Sequence, residues 1–179
     1  MRKVVFLSDE QYNRLDNSIS NIRDKLFLHV IYETGCTVNE LVQIKIKDID
    51  FKNKYIKFPA ENTKTNKARS SYVSLGLLNK IKLFSKGKKS DDFLFSTRQG
   101  DGITTKRVRQ IMQSYSRKAG LSKINPQIVR YTHIVHALKK GIPARAVQEH
   151  VGIDSLRMSQ IYDAVMPKEK EEVYAKFFK

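Results

Sequence analysis

An α+β fold, mostly helical with a small three-stranded antiparallel sheet, follows from two patterns and one composition. Apolar residues recur at helical spacing along most of the chain, and capping residues bracket those stretches. Only the segment from Asp50 to Leu75 changes to the two-residue period of strands. The 179 residues, 40% of them hydrophobic, suit one domain that removes roughly 70% of its unfolded surface from water.

Each element has a local reason. Ser8-Asp9-Glu10-Gln11 has the capping-box pattern and predicts a helix start. Ile22, Leu26, Phe27, Val30 and Ile31 mark a second helix that stops at Gly35. Thr37-Val38-Asn39-Glu40 is another capping box, opening a short helix with Leu41, Val42 and Ile44. Asp50 to Phe58 reads as two strands turning near Asn53, and Ser70 to Leu75 as a third. A polar, basic hairpin loop, Glu61 to Arg69, joins the last two. Helix resumes after Gly76 with Leu77, Leu78, Ile81 and Phe84, ending at Gly87. Phe93-Leu94-Phe95 reads as extended. Thr104 starts a helix that Gly120 closes, and Pro126 suits the first position of the next, which runs to Gly141. Pro143 begins a helix to Gly152, and Ser155 another to Pro167, which in turn starts a C-terminal helix.

Composition narrows the function classes. With 34 Lys and Arg against 18 Asp and Glu, the net charge of +16 points to a polyanion partner, nucleic acid first. The lone Cys36 excludes an intramolecular disulfide framework and a Cys-based zinc site. The four histidines form no metal pair at helical spacing with an acidic partner, so no metal is expected, and no Walker or Rossmann glycine pattern is present. Apolar runs fall far short of the ~20 residues that span a bilayer. A cytoplasmic, nucleoid-associated protein with no membrane partner is the expectation. Lys67 and Arg69 on the hairpin, and Lys106, Arg107 and Arg109 along a helix, are the expected phosphate contacts. The helix start at Thr104 could also seat a phosphate on free backbone N–H groups.

Four segments in order resemble the tyrosine recombinases, the phage integrases and Xer-type resolvases. They are Glu33 to Leu41 followed by Asp48-Ile49-Asp50-Phe51, then Asn125 to Thr132, then Val147 to Gly152, then Ser159-Gln160-Ile161-Tyr162. The resemblance covers about Ser8 to Tyr162 and implies that family's catalytic-domain fold. It also implies its chemistry. A tyrosine hydroxyl attacks a DNA phosphodiester, giving a 3′-phosphotyrosine intermediate and a free 5′-hydroxyl with neither metal, ATP nor other cofactor. Two arginines clamp the charged phosphorane, and a hairpin lysine protonates the leaving oxygen. On this resemblance Tyr162 is the nucleophile, Arg130 the second arginine and Lys64 the lysine, with Lys67 a neighbouring candidate.

Three positions depart from the pattern. Thr37 stands where the first arginine belongs, Gln127 where a histidine is usual, and Ile153 where histidine or tryptophan is usual. Threonine offers no cation, glutamine no proton shuttle, and isoleucine neither. Each lost transition-state donor costs about 3–4 kcal/mol, so strand cleavage is expected to be impaired. Arg157, His133, His136 and His150 are the neighbours considered as replacements. The resemblance further implies DNA recombination or integration on a mobile element, and a C-terminal helix that docks between copies on DNA. Seven residues precede the first predicted helix, so the chain reads as one domain, residues 1–179, with no N-terminal core-binding domain, either as a minimal protein or as a fragment of a longer integrase. Two rivals stay open: a non-catalytic DNA-binding accessory protein derived from a recombinase, and a basic RNA- or ribosome-associated protein.

Overall fold

A computed structural model describes residues 4–97, 99–165, 175, 177 and 178. Eight helices in chain order are α1 (Asp9–Ser18), α2 (Ile22–Thr34), α3 (Val38–Gln43), α4 (Leu75–Phe84), α5 (Thr105–Lys118), α6 (Pro126–Lys139), α7 (Ala144–Val151) and α8 (Ser155–Val165). Three strands, β1 (Ile49–Asp50), β2 (Tyr55–Phe58) and β3 (Arg69–Tyr72), form an antiparallel sheet in the order β1-β2-β3. The expected α+β architecture is the observed one. The helix expected after Pro167 lies, almost entirely, outside the described residues.

Both predicted capping boxes form. Ser8 accepts from the Gln11 N–H while the Gln11 side chain accepts from the Ser8 N–H. Thr37 and Glu40 exchange the same pair of bonds at 2.6 and 3.2 Å. Gly35 and Gly152 close α2 and α7 in the left-handed region, where a side chain is strained. β2 alternates as a half-buried strand should, with Ile56 and Phe58 inward and Tyr55 and Lys57 outward.

The third strand differs from expectation at both ends. It begins at Arg69, and it stops at Tyr72 because Ser74 is committed to the next helix. The Ser74 hydroxyl accepts from Leu77 N–H at 3.1 Å, while the Glu33 carboxylate accepts from the Ser74 N–H and hydroxyl. Helix α4 therefore takes in Leu75 and Gly76, and it ends at Phe84 before reaching Gly87. The β2–β3 connection is more built than a plain loop. It holds a 3-10 turn at Ala60–Asn62 and a buried Thr63 that bonds both Ala60 and Lys67.

Two apolar clusters share α6. The larger runs from Leu7 through α2, the sheet, α4 and α5 to Val129. The smaller joins Ile134, Val135 and Leu138 of α6 to Val147, Val151, Met158 and Ile161 of α7 and α8. An extended N-terminal segment crosses α6: the Leu7 N–H donates to Thr132 Oγ1, and the Leu7 carbonyl accepts from His136 Nε2. Arg130 thus lies on the helix common to both clusters, at their boundary.

The closure of α2 against α7 leaves no room at Gly35. A Cβ there would meet Val151 Cγ1 at 2.4 Å, on a backbone with φ of 59°. Gly35→Ala should lower stability by about 2–4 kcal/mol, combining left-handed strain with overpacking. Gly87, with φ of 86° and nothing within 4 Å, isolates the strain alone. Thermal melts should show Gly35→Ala falling by at least twice as many degrees as Gly87→Ala; equal shifts would contradict the packing.

Candidate active site

The site is built around Arg130. Its guanidinium donates to the carbonyl of Gly35 at 2.6 Å and to that of Gly152 at 3.3 Å. Those carbonyls sit at the C-terminal ends of α2 and α7, where helix dipoles concentrate negative partial charge. Arg130 Nη1 is also 3.8 Å from Glu40 Oε2, with both side chains buried. Burial pushes the Arg130 guanidinium below its ordinary value, Glu40 pulls it up, and Arg69 pushes it down again. It nonetheless stays protonated, as guanidinium does in proteins.

Arg69 corrects an expectation. Rather than projecting from the hairpin as a DNA cation, its side chain is only 8% exposed and paired with Glu40. Nη1 and Nη2 donate to the two carboxylate oxygens at 3.0 and 3.2 Å. The guanidinium lies 4.0 Å from the ring centre of Phe58, its cross-strand partner. Gly152 makes the space: a Cβ there would meet Arg69 Cδ and Nε at 2.6 Å. Among the described residues, Arg69 Nε is the one buried side-chain polar atom without a hydrogen-bond partner. Such an orphan costs about 1–3 kcal/mol.

Thr37 and Lys64 come together. Both line a cavity of about 570 Å³ with Asn39, Gln43, Glu61 and Thr105. Lys64 is its lone cation and Glu61 its lone carboxylate, so the lining has little net charge. The Thr37 hydroxyl is spent on its capping box. Lys67, Lys106, Arg107 and Arg109 are exposed, and Arg109 donates to Thr105 Oγ1 at 3.0 Å.

Tyr162 is on α8, half-buried against the smaller core. It lines a separate cavity of about 650 Å³ with Arg145, Glu149, Ser159 and Asp163. Lys64 and Tyr162 thus line different cavities. Gln127 is exposed on the first turn of α6, and Ile153 packs against the smaller core.

The neighbours considered as replacements are engaged elsewhere. Arg157 donates through Nε and Nη2 to the Tyr131 hydroxyl. His136 bonds Leu7 O and the Tyr32 hydroxyl, and His150 donates from Nε2 to Glu33 O at 2.8 Å. His133 stacks on His150, ring centres 5.2 Å apart. Burial, reinforced by the His150 ring, pushes His133 down to about 4, and burial likewise lowers His150. Cys36 is buried, its thiol pushed up to about 12, and serves as a small apolar residue.

The profile of the phage integrase family matches residues 5–169. The chain belongs to that family. It is similar to the tyrosine recombinase XerA of Pyrococcus furiosus, 33% identical over an alignment of 172 residues that covers 93% of this chain. The chain spans 59% of that relative's length. In fold it is similar to the crystal structure of XerA recombinase, with a TM-score of 0.79 at 24% identity over 98% of this chain and 66% of that one. It is similar as well to XerH site-specific recombinase bound to its difH substrate in a post-cleavage complex, with a TM-score of 0.78 at 22% identity over 99% of this chain and 54% of that one. The segments that resemble the integrase boxes lie on α2–α3 and β1, α6, α7 and α8.

Sequence reasoning missed the Arg69–Glu40–Arg130 cluster. The one available signal was Glu40 itself, an acidic residue between the apolar Val38 and Leu41 in a helix that packs into the core. Its capping role gave a sufficient local explanation and hid the second.

The stacked histidine pair predicts a pH response. His133 is neutral in the folded state down to about 4, while an unfolded histidine takes up a proton near 6.5. The unfolded state therefore binds more protons between those values, and stability falls as pH drops through that window. The melting temperature should fall between pH 7 and pH 5, and fall less in His133→Phe. Equal acid sensitivity in the two proteins would contradict the assignment.

Proposed function

We propose that this chain is the strand-exchange domain of a DNA recombination or integration protein, binding duplex DNA and impaired in cleavage. In the intact reaction, the Tyr162 hydroxyl gives its proton to solvent as its oxygen bonds phosphorus, the bond to the 5′-oxygen breaks, and Lys64 gives a proton to that oxygen. Arg130 stabilises the charge gathered on the non-bridging oxygens. The observation that carries impairment is the cavity shared by Thr37 and Lys64, where no guanidinium stands beside the lysine. Gln127 and Ile153 add two further losses. Family membership and the DNA-bound XerH structure of the same fold support duplex DNA as the partner. The exposed Lys64, Lys67, Lys106, Arg107 and Arg109 supply phosphate contacts. The C-terminal segment is proposed as a contact between copies on DNA.

A second reading, a non-catalytic accessory protein, is favoured by one observation: Arg157, His133, His136 and His150 are all engaged away from Lys64. A nicked suicide substrate separates the two readings by trapping covalent phosphotyrosine product. Impaired catalysis predicts scarce product from the natural chain, none from Tyr162→Phe, and more from Thr37→Arg, by up to about 10²–10³. Abundant trapping without Thr37→Arg would overturn impairment. No product even with Thr37→Arg would favour the accessory reading.

Salt dependence tests the interface. Each phosphate contact contributes about −0.9 to the slope of log affinity against log salt. Replacing Lys106, Arg107 and Arg109 with glutamine should flatten that slope by about 2–3. An unchanged slope would remove α5 from the DNA surface.

A further inference from the structure

We propose that Arg69 is a positioning residue, which takes up the charge of Glu40 and so leaves Arg130 a net positive charge for a DNA phosphate. The inference rests on the reading of Arg130 as a phosphate-binding group. It assigns to Arg69 a part that neither the hairpin position nor a surface-cation reading gives it.

Both oxygens of the Glu40 carboxylate are engaged without Arg130. Oε1 accepts from Arg69 Nη1 at 3.0 Å, and Oε2 accepts from Arg69 Nη2 at 3.2 Å and from the Thr37 N–H at 2.6 Å. Arg130 approaches Oε2 only to 3.8 Å, outside hydrogen-bond range. The cluster therefore holds two guanidinium groups and one carboxylate, although residue 37 contributes only a backbone amide. Without the Arg69 fork, the same buried carboxylate would face Arg130 alone and cancel it.

The surroundings hold Arg69 to this geometry rather than to its own best bonding. Phe58 covers one face, Gly152 gives way beside the side chain, and Nε is left without a partner. A residue kept only for packing gains nothing from a buried, orphaned N–H. A residue kept to occupy both oxygens of Glu40 requires that orientation. Gly152 joins the two cations physically, since its carbonyl accepts from Arg130 while its missing Cβ admits Arg69.

The test is a charge cycle on the full chain, read by fluorescence anisotropy of a labelled 30-base-pair duplex across a salt series. Melting curves establish that each variant is folded. Arg69→Met should weaken binding about tenfold, the scale of one charge-assisted hydrogen bond. It should also flatten the salt slope by about 0.9. Glu40→Gln, which keeps the capping box, should bind at least as tightly as the natural chain. The double variant should recover the slope lost in Arg69→Met. Natural binding by Arg69→Met, or a double variant no better than Arg69→Met, would overturn the proposal in favour of a packing role. If Arg69→Met does not fold, Glu40→Gln decides: weaker binding overturns the proposal and equal or tighter binding supports it. The separate variant Arg130→Met tests the underlying reading: unchanged affinity and slope there would remove the phosphate role, and this proposal with it.

Discussion

The guanidinium of Arg130, bridging the carbonyls that end α2 and α7, is the interaction on which the rest of the site depends. A buried cation is costly, and a carboxylate partner alone would leave most of its five N–H donors unanswered. The two helix ends answer two of them. Both helices stop at glycines in the left-handed region, so their last carbonyls turn toward one point. Because α6 carries residues of both apolar clusters, the side chain that meets those carbonyls is fixed from two sides. The site is thus a consequence of how two small cores are joined, and any shift of α7 against α2 would be felt at Arg130.

Much of the fold is legible because its signals are local. Ser8, Thr37 and Thr104, each marked in the sequence as a helix start, cap helices through their own side chains, and the closing glycines have positive φ. The strand boundary at Tyr72 is not local: it depends on Glu33, 41 residues away, claiming Ser74. Arg69 is the same kind of failure. In sequence it is one more cation in a basic loop, and its burial depends on Glu40, Phe58 and Gly152 converging from three separate elements. Tyr162 and Lys64 both stand out in the sequence by their resemblance to the family's pattern. That they line separate cavities is a matter of how α8 packs on α6 and α7, which no spacing encodes.

Charge is distributed unevenly across the molecule, and the unevenness carries the functional reading. The chain as a whole holds a net charge of +16, yet the cavity shared by Thr37 and Lys64 pairs one lysine with one glutamate. The excess near the site resides deeper, in the Arg69–Glu40–Arg130 cluster. The proposed pairing of DNA binding with impaired cleavage fits this distribution, because phosphate contacts along a duplex require only exposed cations, whereas cleavage requires donors at one phosphorus.

The most direct test of this account is a structure of the chain bound to duplex DNA. It should show a guanidinium nitrogen of Arg130 about 2.8 Å from a non-bridging phosphate oxygen, with Arg69 still holding both oxygens of Glu40. A phosphate seated away from Arg130, or Glu40 released by Arg69 and bonded to Arg130, would contradict it.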